Sequence, residues 1–210
     1  MEILRAEKLE HSYGAGLVFK YPRLSCGAGE QVLVLGNSGS GKTTLLHLLG
    51  LILPVQKGLV NINGTEVQNL SAKNSSSFRA KNIGLIFQQH HFVKSLNVSD
   101  NLFLANYYAK STPDKKGLMS IAEQLEITPL LKKAIYDLSG GEMQRIGIAR
   151  ALMNKPKVIL ADEPTSNLDD KNCENVFKLL SNSSKEMGAA LVIVTHDQRL
   201  KEKVKSQIQL

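Results

Sequence analysis

The sequence predicts an α/β fold in which helices cover a mostly parallel sheet. Three apolar runs support this prediction: QVLVLG (31–36), KVILAD (157–162) and AALVIVTH (189–196). Nearly continuous apolar runs of this length are typical of strands that are buried on both faces. Each run leads into glycine or polar residues, at the edge where open α/β sheets place their ligands.

The segments between these strands predict two additions to the sheet. The first 30 residues and VNINGTEV (60–67) have the short strands, broken by glycine and proline, of a small antiparallel sheet. From about Val98 to Asn154, apolar residues recur at helical spacing. We expect polar loops at Ser71–Ser77 and Ser111–Gly117, where small polar residues cluster.

Length and composition limit the class of protein. The chain has 210 residues and 42% hydrophobic content, enough for one domain with a real core. No apolar run approaches the roughly 20 residues that a membrane span needs, and the N-terminus has no signal-peptide core. We expect one domain over residues 1–210, in which a nucleotide-type core with the antiparallel sheet, 1–87 and 155–210, is interrupted by a helical subdomain, 88–154.

Charge and cysteine content leave several partners open. The net charge of +7 suits nucleotides, nucleic acid or an anionic membrane surface, and equally a basic surface without a special partner. Cys26 and Cys173 are the two cysteines of the sequence. They favour reduced thiols in a cytoplasmic protein over a disulfide.

A glycine-rich loop and a helix follow the first buried run. GNSGSGKT (36–43) fits the pattern G-x-x-x-x-G-K-T, and the helix-like TLLHLLGLI comes after it. Glycines let the loop wrap its N–H groups around phosphate, and the helix adds the positive end of its dipole. Lys42 can place its charge against the β- and γ-phosphates, and the Thr43 hydroxyl can reach Mg²⁺. The pattern predicts a P-loop NTPase core of the RecA-like kind, with nucleotide contacts from Gly36, Asn37, Ser38, Gly39, Ser40, Gly41, Lys42, Thr43 and Thr44.

Two adjacent carboxylates end the second buried run. Asp162 closes the strand VILAD and can hold Mg²⁺ directly or through water. Glu163 follows it and can face the γ-phosphate, where a carboxylate orients the attacking water. The alternative for Glu163 is a surface acid beside Pro164. A strand ending in Asp-Glu is strong support for a nucleotide site when a phosphate loop is also present.

A second candidate anion site lies at the start of LSGGEMQRIGIARAL (138–152). Ser139, Gly140 and Gly141 offer a hydroxyl, accessible backbone amides and a helix N-terminus. The plainer alternative is an N-cap, with Ser139 and Glu142 forming a capping box. Both can hold at once, because a cap leaves the other amides free. Since the chain already has a phosphate loop, a second anion site makes sense if it closes over the nucleotide of another chain.

Seven motifs in order, over nearly the whole chain, resemble those of the ATP-binding-cassette ATPases. The P-loop resembles the family's Walker A loop, VILADE its Walker B strand, and SGGEMQ (139–144) its signature. The resemblance implies that Tyr13 stacks on adenine, that Gln88 contacts Mg²⁺ and the attacking water, and that His196 is the switch histidine. SNLD (166–169) resembles the D-loop, which adds Asp169 to the nucleotide site.

Several of these assignments have alternatives. Taken alone, a tyrosine such as Tyr13 is more often a packing residue, and a histidine such as His196 is more often a hydrogen-bonded polar residue at a strand end. Gln89 adjoins Gln88, so the assignment of the glutamine is uncertain by one residue. His90 and His91 raise the possibility of a metal site, but the neighbouring sequence supplies no further ligands.

The resemblance also implies a mechanism and partners. In this family two cassettes hold two ATP molecules head to tail, each between the Walker A loop of one chain and the signature of the other. One loop and one signature therefore require a second chain, which we expect to be an identical copy. We also expect Mg²⁺, separate integral membrane permease subunits, a cytoplasmic location at the inner face of the cell membrane, and no nucleic acid partner.

The segment GLIFQQHHFVKSLNVSDNL (84–102) most resembles the group that contains the lipoprotein-releasing, macrolide-export and cell-division cassettes. The paired histidines favour the lipoprotein-releasing kind. The chain departs from the group at Phe92-Val93-Lys94 and at Asp100-Asn101-Leu102, which puts the cargo in doubt. A cassette ATPase that acts on cell division, DNA or ribosomes is the alternative function, and a regulatory partner without hydrolysis is another. Intact Glu163 and His196 argue against the latter.

Overall fold

The computed structural model describes residues 1–14, 16–89, 91–166 and 168–210. Its centre is a sheet in which every pair of neighbouring strands is parallel. The strands follow the order β10-β4-β9-β8-β7. Their bounds are Gln31–Leu35 (β4), Ile83–Ile86 (β7), Val158–Asp162 (β8), Ala190–Thr195 (β9) and Ser206–Gln209 (β10). The three apolar runs thus form β4, β8 and β9 as predicted.

A second, antiparallel sheet packs beside the first. Its central strand β1 pairs with β2, β3 and β5, and β5 pairs with β6. The turn between β5 and β6 is Asn63-Gly64, and both residues have positive φ, as a two-residue hairpin turn requires. The bounds are Glu2–Ser12 (β1), Val18–Lys20 (β2), Leu24–Gly27 (β3), Lys57–Ile62 (β5) and Thr65–Glu66 (β6).

Six helices in the described part of the chain cover the sheets. They are Lys42–Leu49 (α1), Ala72–Asn82 (α2), Val98–Tyr108 (α3), Lys115–Gln124 (α4), Gly140–Leu152 (α5) and Asp170–Met187 (α6). None of these combines the length and apolar character that a membrane crossing requires. The helices predicted between Val98 and Asn154 are α3, α4 and α5.

Alternate residues of the parallel strands face two separate apolar clusters. Leu33 and Leu35 of β4 pack with α3, α4, α5 and α6, whereas Val32 and Val34 pack with α1 and the antiparallel sheet. The same alternation occurs in β8 and β9, so the sheet is buried on both faces. Helices α3–α5 share their cluster with the sheet. The division at residues 88 and 154 stays a prediction.

Two predicted loops are partly helical. Ser71–Ser77 was expected to be a polar loop, but Ser71 caps α2 by accepting a hydrogen bond from the N–H of Asn74. Two contacts attach this polar helix to the rest of the chain: Phe78 packs on the core cluster, and Arg79 donates to the carbonyl of Leu51 at 2.5 Å. In Ser111–Gly117, the loop ends at Asp114, which caps α4 through Gly117 N–H at 2.8 Å.

One buried side chain of α3 holds residues 93–97, which precede the helix. Asn101 is fully buried, and its amide exchanges hydrogen bonds with both backbone groups of Val93 at 2.9 and 3.1 Å. The same amide donates to the carbonyls of Leu96 and Asn97. Residues 93–97 therefore have a defined path beside α3, although they form no helix or strand.

Candidate nucleotide-binding site

A cavity of about 590 Å³ opens at the carboxyl edge of the parallel sheet. It brings together most of the residues predicted to bind ATP and Mg²⁺, from the P-loop and from the segments that follow β7, β8 and β9. Gln88 lines the cavity, and Gln89 does not. The lining residues are Phe19, Asn37, Ser38, Gly39, Gly41, Lys42, Thr43, Thr44, Gln88, Asp162, Glu163 and His196.

The P-loop is closed by its own lysine. Lys42 Nζ donates to the carbonyls of Gly36 and Asn37 at 2.8 and 2.9 Å, and the residue is only 9% exposed. The N-cap of α1 is Gly41, with φ 93°, which supplies no side-chain acceptor to the first amides of the helix. Those amides and the lysine charge therefore remain available to a phosphate group. Gly36 and Ser40 belong to the loop wall rather than to the lining, and a Cβ at Gly36 would lie 2.5 Å from Ser40 Oγ.

Phe19 is a lining residue that the sequence reasoning missed. Its ring lies so close to the loop that a Cβ at Gly41 would come within 2.5 Å of it. Tyr13 does not line the cavity, but its hydroxyl is 3.1 Å from Thr44 Oγ1, and its ring packs edge-on against Phe19 at 6.3 Å. The alternation F-K-Y in β2 and the residue after it was the available signal, because it puts Phe19 and Tyr21 on one side. The Tyr21 hydroxyl donates to the carbonyl of Gly41.

The donors at one side of the cavity fit Mg²⁺. Thr43, Asp162 and Gln88 all line it and offer a hydroxyl, a carboxylate and an amide oxygen, the hard oxygen ligands that this ion prefers. Burial raises the pKa of the Asp162 carboxyl, and the adjacent Glu163 adds to this effect, whereas Thr43 and Lys42 oppose it. A bound cation would stabilise the charged form of this buried carboxylate.

The backbone of Glu163 is strained in a way that aims its side chain at β9. Its φ is 48°, in the left-handed region that favours glycine, and its N–H donates to Val194. The carboxylate accepts from Thr195 Oγ1 at 2.7 Å and lies 2.8 Å from His196 Nδ1. Strain of this kind is characteristic of functional positions. Two of the three side chains with predicted catalytic roles, Glu163 and His196, therefore contact one another directly.

The signature residues lie outside this cavity. Ser139 and Glu142 form the predicted capping box at the start of α5, with hydrogen bonds of 3.3 and 2.7 Å. Neither Ser139 nor Gly140 lines the cavity, and Gly141 lines a separate cleft beside α6. Helix α5 nevertheless contacts the segment that follows β8, because Gln144 Nε2 donates to the carbonyl of Pro164 at 2.8 Å.

Asp169 also lies outside the cavity. It caps α6 by accepting from the N–H of Asn172 at 2.8 Å. Asn167 of the predicted D-loop and His90 of the histidine pair lie outside the described residues. Within the described part, no group of three or more His, Cys, Asp or Glu side chains is arranged to hold a metal. Cys26 and Cys173 are free and buried, and burial raises the pKa of both thiols.

Comparison with known proteins decides the family. A family model described as ABC transporter matches residues 19–166. The chain belongs to the ABC transporter family. It is 39% identical over 210 residues to the lipoprotein-releasing system ATP-binding protein LolD of Legionella pneumophila (strain Lens), covering 96% of this chain and 92% of that protein. The LolD of Bacteroides fragilis (strain YCH46) is 38% identical over 201 residues, with coverage of 94% and 93%.

Solved structures of ABC cassettes confirm the predicted fold class. The cassette MJ0796, as a dimer in a post-hydrolysis state bound to ADP and Pi, matches with a TM-score of 0.88 at 29% identity, covering 99% of this chain and 94% of that one. CbiO1 from Clostridium perfringens, part of the complex cbiONQ, matches with a TM-score of 0.82 at 29% identity, covering 93% and 79%. This ABC protein is thus an ATPase, as predicted, and the relatives named LolD confirm its resemblance to the lipoprotein-releasing group.

The aromatic side of the site yields a test with three variants. Tyr13→Ala is expected to weaken ATP binding by about 1 kcal/mol, roughly fivefold in Kd, because one stacking face is lost. Phe19→Ala should weaken it at least as much, because Phe19 also packs on Gly41. Tyr136→Ala, at a side chain 79% exposed and outside the cavity lining, is the control. Calorimetric titration with Mg-ATP measures all three. Unchanged affinity in Tyr13→Ala with weakened affinity in Phe19→Ala would assign the base contact to Phe19 alone.

Proposed function

We propose that this chain is the ATP-hydrolysing subunit of a transporter, that it pairs head to tail with a second copy when ATP binds, and that the pair drives a separate membrane permease in lipoprotein release. In each site, the P-loop of one copy would hold ATP and the signature of the other copy would close over its γ-phosphate. The relatives named for lipoprotein release support the cargo class, and the dimeric cassette structure supports the pairing.

The signature glycines carry the proposal for a second copy. Among the residues that the structure describes, a Cβ at Gly140 or at Gly141 would meet nothing within 4 Å, and neither glycine has a positive φ. Packing and backbone geometry in this chain therefore do not require glycine at either position. Glycine is nevertheless a poorer helix former than alanine, because it loses more backbone entropy when the helix forms. Close approach of a group from outside the chain explains why two are present, and a phosphate suits the free amides of a helix N-terminus.

Different cavity residues can bind phosphate, hold Mg²⁺ and activate water for hydrolysis. Lys42 and the amides of α1 would bind the phosphates, and Thr43, Asp162 and Gln88 would hold Mg²⁺, which when bound neutralises charge on the β- and γ-phosphate oxygens. Glu163 would orient and polarise the attacking water, with His196 at 2.8 Å fixing the carboxylate beside the γ-phosphate. Catalysis would thus consist mostly of positioning and charge stabilisation.

Glu163→Gln is expected to keep ATP binding and to stop turnover, because the amide keeps the shape of the side chain without the charge that polarises water. ATP should then hold two copies together. Light scattering with and without Mg-ATP measures the dimer, and phosphate release measures turnover. Glu66→Gln, on the short strand β6 outside the cavity lining, is the control and should resemble the parent. A Glu163→Gln chain that hydrolyses ATP at the parental rate, or stays monomeric with ATP, contradicts the proposal.

The segment from Gln88 to Asn101 is the proposed contact with the permease. It begins at a lining residue of the ATP site, and its later part, residues 93–97, is held to the buried Asn101 by hydrogen bonds. Val93 is 43% exposed in the middle of it, where an apolar side chain is available to a partner. Phe92 below it packs against Arg150 of α5, with the guanidinium 4.7 Å from the ring centre.

Copurification tests the transporter assignment against the alternatives. Detergent-solubilised membranes of the source cells should yield the chain together with an integral membrane protein. Lys94→Glu, an exposed charge reversal in the proposed contact segment, should weaken that association while ATP hydrolysis by the isolated chain persists. Lys155→Glu, at an exposed position outside the segment, is the control. Recovery of ribosomes or nucleic acid in place of a membrane protein would favour the non-transport function.

A further inference from the structure

Arg199 makes a forked set of contacts that the proposed mechanism does not use. Its Nε and Nη2 both donate to the Asp197 carboxylate, with distances of 2.9 and 2.8 Å to the nearest oxygens. Its Nη1 donates to the carbonyl of Leu168 at 3.0 Å and to Asp170 Oδ1 at 2.8 Å. The planar guanidinium therefore joins the segment after β9 to the segment that leads into α6.

Asp197 extends this network to the segment that follows β8, which contains Glu163 and Thr165. Its Oδ2 accepts from the hydroxyl of the buried Thr165 at 2.8 Å, and its backbone N–H donates to Thr195 Oγ1 at 3.0 Å. Thr195 Oγ1 in turn donates to Glu163 Oε2 at 2.7 Å. The Arg199 guanidinium holds the pKa of the Asp197 carboxyl well below its usual range, so this carboxylate stays ionised.

These contacts lock together two segments that carry the reacting side chains. Glu163 lies two residues before Thr165, and His196 directly precedes Asp197. Because β8 ends at Asp162 and β9 ends at Thr195, the two segments are joined beyond the sheet by side-chain hydrogen bonds, those of Glu163 with Thr195 and His196 and that of Thr165 with Asp197. Beside the direct contact of Glu163 with His196, the hydrogen bonds that converge on Asp197 thus help to set the separation of these two side chains.

We propose that Arg199 is a positioning residue for hydrolysis: its bidentate contact with Asp197 and its contacts with Leu168 and Asp170 keep the Glu163 carboxylate in register with His196. The proposal rests on the proposed roles of those two side chains. It concerns the hydrolytic step and not nucleotide binding, because Arg199 lies outside the lining of the cavity. This role requires a guanidinium group, because its forked N–H donors reach Asp197, Leu168 and Asp170 at the same time, whereas the compact ammonium group of a lysine does not.

Steady-state kinetics of three variants test this. Arg199→Gln should lower kcat at least about tenfold, since misplacing a reacting group by one ångström can cost about a hundredfold, while KM for ATP changes less than about twofold. Arg199→Lys should be equally slow, because lysine restores the charge without the fork. Lys203→Gln is the matched control: Lys203 also joins this region to α6, through Glu174 at 3.9 Å, but it contacts neither catalytic segment. It should behave as the parent.

Chemical rescue separates positioning from a general loss of structure. In Arg199→Ala, guanidinium chloride at low millimolar concentration should raise kcat several-fold relative to the same concentration of sodium chloride, because the free ion can replace the missing fork. The unfolding midpoint of each Arg199 variant is measured beside that of Lys203→Gln. An equal loss of ATP binding and of turnover, with a lowered midpoint and no rescue, would make the role merely structural and overturn the proposal.

Comparison with Glu163→Gln distinguishes failure of the proposed function from failure of the positioning role of Arg199. If Glu163→Gln stops turnover and Arg199→Gln keeps the parental kcat, the proposed function stands and the positioning role is wrong. Parental kcat in Arg199→Lys would equally refute it, because charge alone would then suffice. If Glu163→Gln itself hydrolyses ATP normally, the proposed catalytic roles fail, and the positioning proposal falls with them.

Discussion

The parallel pairing of β4, β9 and β8 is the constraint on which the nucleotide site depends. Leu35 pairs with Thr195, and Asp162 pairs with Val194, so the three strands end at the same level of the sheet. The P-loop follows directly after β4, Glu163 after β8 and His196 after β9, so these groups meet at one edge of the sheet. A shift of register by one residue in any strand would turn its buried side chains to the other face and separate these groups.

The same burial explains which parts of the fold the sequence could predict. β4, β8 and β9 are central strands, and their sequences are almost wholly apolar because both faces are covered. β10 lies at an edge, and its sequence, SQIQ, carries no such signal. Helix α2 has no buried side chain, so its polar composition indicated a loop. Helix α6 was also missed, although Cys173, Val176, Phe177 and Leu180 recur at helical spacing and are buried.

Some residues of the candidate site could be predicted from adjacent sequence, whereas others reach the site only through the fold. The P-loop and the Asp162-Glu163 pair are contiguous in sequence, so their residue types and spacing were sufficient to predict them. Phe19 and Arg199 act through side chains that arrive from distant segments. The alternation F-K-Y places Phe19 and Tyr21 on one side but does not indicate which loop they meet, and no pattern of adjacent residues marks Arg199. The signature combines both cases. Its capping box could be predicted from adjacent residues, whereas its glycines are explained only by the proposed approach of a group from another chain.

The signature glycines therefore separate a site made by one chain from a site shared by two. In the structure, Ser139–Gly141 lie outside the cavity that the P-loop lines, and the surroundings of Gly140 and Gly141 are open. Within one chain, these residues would only cap α5. In the shared arrangement that we propose, they would complete the site of the other copy, and the two sites would be equivalent by symmetry.

Mixing two inactive variants measures this most directly. A Lys42→Ala chain lacks its own phosphate contact, and a Ser139→Arg chain blocks the site of its partner. In a mixed pair, both defects fall on one shared site and leave the other intact. Equal amounts should recover about a quarter of the parental ATPase rate if pairing is random and the sites are independent, and less if they are coupled. ATPase activity that stays at the level of the separate variants, together with loss of ATP binding by Ser139→Arg alone, would show that the signature serves its own chain.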